Sequence, residues 1–114
     1  MAKSLVRMLL LGLVGVGVLA LSAGSSNAQS AAETLYKAKC AMCHGPDGKA
    51  ETPAGKAMKA RSFADPEVAK MSEEELETVI AKGKNKMPGF DGKLKKEQIE
   101  QLVEYIRALA KKSN

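Results

Sequence analysis

Apolar residues near the end of the chain recur at helical spacing. Ile99, Leu102, Val103, Ile106 and Leu109 fall on one side of a stretch from Lys95 to Ala110. A second stripe, Leu76, Val79 and Ile80, marks a helix over Ser72 to Lys82. Ser72 and Glu75 form a capping box at its start, each side chain satisfying a backbone N–H left free by the helix end, and Gly83 suits its C-terminal cap. Ala32, Leu35 and Tyr36 share one face of a helix predicted over Ser30 to Cys40, where Ser30 and Glu33 offer another capping box. Asp65-Pro66 opens a brief turn of helix through Lys70. The stretches Gly45 to Pro53 and Lys84 to Lys93 are rich in Gly, Pro and charged residues and read as loops. No segment alternates as a half-buried strand would, and none repeats, so the pattern predicts an all-α domain.

The first residues follow a different pattern. Lys3 and Arg7 form a short basic start, and Met8 to Leu21 is an unbroken run of apolar and glycine residues. Ser22 to Ser30 is small and polar, with Ser26 and Ala28 at the −3 and −1 positions of a cleavage site. This is the layout of a secretory signal peptide. The run falls short of the roughly 20 residues a spanning helix needs, and three glycines weaken it further. With no Arg-Arg pair, the general secretory route is expected. The expected division is a signal peptide over 1–28 and one domain over 29–114, exported to the periplasm, with a thylakoid lumen or the extracellular side as alternatives.

Removing Lys3 and Arg7 lowers the formal net charge from +5 to +3, so the basic balance of the full chain is partly a property of the leader. No basic run carries interleaved aromatics, which argues against nucleic acid as a partner. The remaining domain has a core problem. It has no Trp, and its aromatics are Tyr36, Tyr105, Phe63 and Phe90. Domains of this size commonly need a staple such as a disulfide or a metal.

Cys40-Ala41-Met42-Cys43-His44 supplies one. C-x-x-C-H is the attachment signature of a covalent haem. The two thiols add to the two vinyl groups of the porphyrin, and His44 follows as the proximal ligand to the iron. The competing readings fit less well. A thioredoxin-like dithiol belongs in a βαβ setting. A structural zinc site takes four ligands, whereas this chain has two Cys and one His. A disulfide this short closes a tiny loop and stabilises little.

With His44 used, the sixth position on the iron cannot take a second histidine from this chain. Methionine is the next candidate, because Met/His ligation marks electron-transfer haems and raises their potential. Met42 lies inside the attachment motif, on the wrong side. Met71 follows a short helix and packs. Met58 comes soon after the motif. Met87 stands in Lys86-Met87-Pro88-Gly89-Phe90, a loop between two helices, where Pro88 holds it extended. Met87 is therefore the expected distal ligand.

At this point the chain resembles the class I monohaem cytochromes c, and among them the small soluble bacterial and algal carriers of the cytochrome c-six type. The resemblance covers essentially all of 29–114. It implies about four short helices wrapped around one covalent haem c. It implies an N-terminal helix crossing the C-terminal one through an aromatic pair, which maps onto Tyr36 and Tyr105 beside Leu102. Ala32 stands where the family often has Gly. The proline whose carbonyl accepts the N–H of the ligand histidine maps onto Pro53.

The expected function is a one-electron carrier, not an enzyme, cycling between ferric and ferrous iron. The alternative is a small haem peroxidase or a gas-binding or sensing haem protein with an open sixth position. That reading wants distal polar groups, for which Arg61 and Arg107 are the candidates. A third reading, a structural or interaction module without haem, treats the motif as chance. The expected partners are a redox donor and acceptor, met transiently by a monomer, with membranes reached only through partner complexes. Lys82, Lys84, Lys86, Lys93, Lys95 and Lys96 surround the methionine loop and are candidates for docking an acidic partner surface. Their bland alternative is a solvated face, just as Glu73, Glu74 and Glu75 need be no more than favourable charges at a helix start.

Overall fold

The structure, a computed structural model, describes residues 23–114, so most of the predicted leader lies outside the described residues. Six helices follow one another: α1 (Ala23–Lys39), α2 (Ala41–His44), α3 (Pro53–Met58), α4 (Pro66–Ala69), α5 (Glu73–Lys82) and α6 (Lys96–Lys112). Among the described residues the only extended pairings are two isolated bridges, Lys84 with Met87 and Asp91 with Leu94. The all-α expectation holds, with six helices where about four were expected. None of the described helices is long and apolar enough to cross a membrane.

Most of the predicted elements form for the predicted reasons. At α5 the Ser72 hydroxyl accepts the Glu75 N–H at 3.1 Å, and the Glu75 carboxylate accepts the Ser72 N–H at 2.7 Å. Gly83 ends this helix at φ 78°. Asp65 caps α4 by accepting the Glu67 N–H at 2.9 Å. At α6, Lys95 offers no capping acceptor, and the Gln98 side chain takes the Lys95 N–H instead, at 2.9 Å.

Two local readings are corrected. In the uncleaved chain the Ser30–Glu33 capping box does not form, because α1 begins at Ala23, within the predicted leader, and Ser30 lies inside it. A serine inside a helix has no free N–H for its partner to cap. The Ser30 carbonyl accepts the Thr34 hydroxyl at 3.0 Å, and Glu33 pairs with Lys37 at 2.5 Å. The second is α3, whose first residue is the last of the expected Gly45 to Pro53 loop and whose other residues carry no predicted element. Thr52 caps it by accepting the Gly55 N–H at 2.9 Å, and Pro53 takes the first helical position, where its missing N–H costs nothing.

The core forms where α6 packs on both α1 and α5. Tyr36, Leu102 and Val103 are its most buried large side chains. The expected aromatic crossing is present: the Tyr36 and Tyr105 rings lie 5.2 Å apart, with Ala32 buried on the same face of α1. Of the α5 stripe, Leu76 and Ile80 are buried, and Val79 sits at the edge. Phe63 reaches into this core from the segment between α3 and α4 and meets Tyr36 edge to face at 6.1 Å.

Tyr36 also joins the core to the segment that follows α2. Its hydroxyl, buried with the ring, donates to the Gly45 carbonyl at 2.6 Å. That carbonyl also accepts the Gly48 N–H at 3.2 Å, so removing the hydroxyl leaves it one partner. Tyr36→Phe is therefore expected to cost about 1 kcal/mol, not the full penalty of an orphaned buried carbonyl. A denaturant titration against the parent protein checks this; an unchanged midpoint would mean the bond contributes nothing.

Candidate functional site

Cys40, Cys43 and His44 stand at i, i+3 and i+4, a spacing that puts all three on one face of a helical turn. The backbone supplies that turn. The Cys40 carbonyl accepts the N–H groups of both Cys43, at 3.2 Å, and His44, at 2.9 Å. Cys40 itself bends the chain away from α1 while its N–H still reaches the Tyr36 carbonyl at 2.8 Å. The motif is thus an offset continuation of the helix that carries Tyr36. Thr52 closes it from the far side, its hydroxyl lying 2.7 Å from the Met42 carbonyl and 3.1 Å from that of Cys43.

Both cysteines are free and half-buried. Cys40 packs against the hydrophobic core, and burial pushes its thiol up to about 11, which keeps it protonated. The imidazole of His44 stacks on the Phe63 ring with centroids 4.8 Å apart and planes 24° apart. Burial lowers its basicity, and a backbone carbonyl partly offsets the effect. That carbonyl belongs to Arg61, whose oxygen lies 3.3 Å from Nδ1. A carbonyl only accepts, so the contact requires a proton on Nδ1 and leaves the lone pair on Nε2.

Pro53 was expected to supply this carbonyl. The structure puts Pro53 at the start of α3 and gives His44 the Arg61 carbonyl instead. The intervening loop accounts for the difference. The chain leaves α3 at Lys59 in a left-handed conformation, φ 55°, and the Ala60 N–H returns to the Gly55 carbonyl at 2.8 Å. This reversal carries Arg61 back past the motif.

The methionines separate by environment. Met42 is 76 % exposed and Met58 50 %. Met71 and Met87 are half-buried and pack against the core cluster. The Met87 loop lies against the end of α5. The Lys84 and Met87 backbones exchange hydrogen bonds at 3.2 and 2.9 Å, and the Phe90 N–H reaches the Ile80 carbonyl at 3.0 Å. Gly89 permits the approach, since a Cβ there would lie 2.7 Å from the Ala81 carbonyl oxygen.

Two thiols and one imidazole on a single turn, with Met87 packed against the same apolar core as Cys40, suit a haem. The set supplies two attachment points and borderline-to-soft ligands for iron. No buried side-chain polar atom among the described residues lacks a partner, so the apolar wall carries no unmet polar demand. Among the described residues no group of three or more His, Cys, Asp or Glu side chains could hold a bare metal ion.

Residue patterns offered Arg61 only as a distal polar group and missed its carbonyl beside His44, because any residue type could supply that carbonyl. Thr52 was findable, since Thr-Pro is an N-cap followed by a favoured first helical residue. Phe63 was noted only as one of four aromatics.

Comparison with known proteins agrees with this arrangement. Residues 27–106 match the family described as cytochrome C oxidase, cbb3-type, subunit III. Cytochrome c6 of Microcystis aeruginosa is 35% identical over 79 residues, covering 69% of this chain and 94% of the relative. Cytochrome c6 of Nostoc sp. is 41% identical over 73 residues, covering 63% of this chain and 62% of the relative. The solved KustC0563 c-type cytochrome superposes with a TM-score of 0.63 at 38% identity, covering 68% of this chain and 95% of that one.

Gly89→Ala should push the Met87 loop off α5 and destabilise the protein by about 1–3 kcal/mol, the usual cost of overpacking. Thermal melts of the two proteins test this; equal stability would mean the loop does not depend on that approach.

Proposed function

The chain belongs to the cytochrome c family as a cytochrome c6-like electron carrier, and from that premise we propose that Cys40 and Cys43 hold one haem c while His44 and Met87 ligate its iron. The observation that carries this reading is the single helical turn presenting both thiols and the chain's sole imidazole on one face. When bound, the haem supplies a one-electron ferric–ferrous couple. The chain's own residues do the rest. Cys40 and Cys43 anchor the porphyrin as thioethers. His44, with Nδ1 protonated toward the Arg61 carbonyl, offers Nε2. Met87 offers a thioether from a loop fastened to α5, and a thioether ligand favours the reduced state and raises the potential. Half-burial against the core sets Met71 and Met87 apart from the exposed Met42 and Met58, and the loop setting between α5 and α6 favours Met87 over Met71.

The leader over 1–28 belongs to the same proposal. A periplasmic carrier, made with a signal peptide and matured after export, accounts for the basic start, the apolar run and the small residues before Gln29.

For the partner surface, charge is the guide. Lys82, Lys84, Lys86, Lys93, Lys95 and Lys96 are all exposed. Lys96 pairs with Glu100 at 2.9 Å, and the Lys93 ammonium lies 5.9 Å from the Phe90 ring centre. Among the described residues the ion pairs join Lys37 to Glu33, Arg61 to Asp65, Lys70 to Glu67 and Lys96 to Glu100. Lys82, Lys84 and Lys86 are thus left to act at longer range. Such charges speed encounter with an acidic surface more than they tighten the complex, which suits a carrier that must leave.

Mass spectrometry of the exported protein should show the polypeptide plus one haem that survives acid–acetone extraction. Haem that extracts freely would refute the attachment. Met87→Ala should abolish the sulfur-to-iron absorption band, lower the potential and admit added ligands such as carbon monoxide. If Met58→Ala did so and Met87→Ala did not, Met58 would be the ligand.

The docking proposal has its own test. Replacing Lys84 and Lys86 with Glu should slow electron exchange with an acidic redox partner and leave the haem spectrum unchanged. The parent rate should fall as salt rises, because screening acts over about 8 Å at physiological ionic strength. A rate indifferent to salt and to both substitutions would reduce the lysines to a solvated face.

A further inference from the structure

The segment Arg61-Ser62-Phe63 touches His44 twice, once through a carbonyl and once through a ring. We propose that Phe63 is the positioning residue of the proximal imidazole: with the tautomer set by the Arg61 carbonyl, the Phe63 ring fixes the plane. This rests on the reading of His44 as a haem ligand and goes beyond it, because it says what holds the imidazole in one orientation.

Two contacts are needed because each leaves a different freedom. A single hydrogen bond at Nδ1 settles which nitrogen carries the proton but lets the ring rock about it. A face-on aromatic removes the rocking. The His44 and Phe63 centroids, 4.8 Å apart with planes 24° apart, lie within the range where offset stacking is favourable. The hydrogen bond, at 3.3 Å, is at the long end of its range and would be a loose restraint alone.

Phe63 can act as a stop because it is itself held. It is 7 % exposed and meets Tyr36 edge to face. Its N–H donates to the Gly48 carbonyl at 2.9 Å. A Cβ on Gly48 would lie 2.5 Å from Phe63 Cδ2, so the ring occupies the space a side chain at residue 48 would fill. Gly48 sits at φ 75°, which also calls for glycine.

The backbone beyond His44 is held from the same neighbourhood. The Gly45 carbonyl takes the Tyr36 hydroxyl, the Asp47 carbonyl takes the Ser113 hydroxyl at 3.1 Å, and the His44 carbonyl takes the Ala50 N–H at 2.9 Å. Phe63 therefore bears on a histidine whose backbone is already fixed, and what it adds is side-chain orientation. Partners that orient a metal-bound histidine tune the metal as well as the ligand.

The test uses the full-length haem-loaded protein. In the reduced parent, nuclear magnetic resonance should find the His44 ring protons in contact with the Phe63 ring, and a slowly exchanging Nδ1 proton near the Arg61 and Ser62 backbone. Contacts to Pro53 in place of these would overturn the proposal. Phe63→Leu keeps an apolar side chain in the core but removes the flat face. It should speed exchange of the Nδ1 proton, shift the midpoint potential and broaden the low-spin ferric resonance signal, with haem content and Met87 ligation unchanged. A Leu variant with lower thermal stability but parental exchange rate, potential and resonance signal would reduce Phe63 to core packing and overturn the positioning role. A product without covalent haem would overturn the functional reading and this inference together, whereas a haem protein with the wrong contacts overturns only the inference.

Discussion

Tyr36 is wholly buried, and both its ends are engaged. The ring stands between Tyr105 of the C-terminal helix and Phe63 of the segment before α4. The hydroxyl reaches past the haem-attachment motif to the Gly45 carbonyl, one residue beyond His44. The pairing suits both groups, because a buried phenol needs an acceptor and the Gly45 carbonyl, which already takes the Gly48 N–H, has a second lone pair to offer. Burial, with smaller effects from neighbouring groups, raises the phenol's pKa well above its ordinary value, so the hydroxyl keeps the proton it donates. The crossing of α1 and α6 is thereby coupled to the motif: moving either helix moves the carbonyl next to the ligand.

The two halves of the site are built differently. The half that carries Cys40, Cys43 and His44 is local in sequence, set by one helical turn continuing α1. Its accuracy comes from short-range hydrogen bonds, then from the Arg61–Phe63 segment laid over it. The Met87 half is a loop with no helix of its own. It borrows order from α5, to whose last turn it is fastened by the Phe90 and Asp91 N–H groups and by the close approach at Gly89. On the proposed reading, local geometry suffices where two thioether bonds and a histidine ligand would have to coincide, while a single methionine ligand would tolerate delivery by a fastened loop.

That contrast also explains what could be read from residues alone. The stripes of α5 and α6, the Ser72 capping box and the Asp65 cap depend on neighbours within one or two turns, and all appear where the spacing put them. The Ser30 capping box is absent from the uncleaved chain on the same local logic, because a cap is defined by where the helix begins and there the last residues of the predicted leader extend α1 past Ser30. The attachment motif was legible because its chemistry dictates residue type at fixed spacing. The acceptor at His44 Nδ1 was not, because a carbonyl belongs to every residue and its donor lies 17 positions away. Only the path of the chain through the left-handed Lys59 decides that it is Arg61 and not Pro53.

Charge follows the same division of short and long range. Glu73, Glu74 and Glu75 open α5 where the helix dipole favours acids, and Lys82 closes it where the dipole favours bases. The helix therefore needs these residues for its own stability and gains an acidic start and a basic end in consequence. Lys84 and Lys86 extend the basic end into the methionine loop, where no helix dipole calls for them and no ion pair holds them among the described residues. Local stability thus accounts for the acidic end in full and for the first lysine of the basic end. It leaves the lysines nearest Met87 without a structural task, which is why the proposed docking role falls to them.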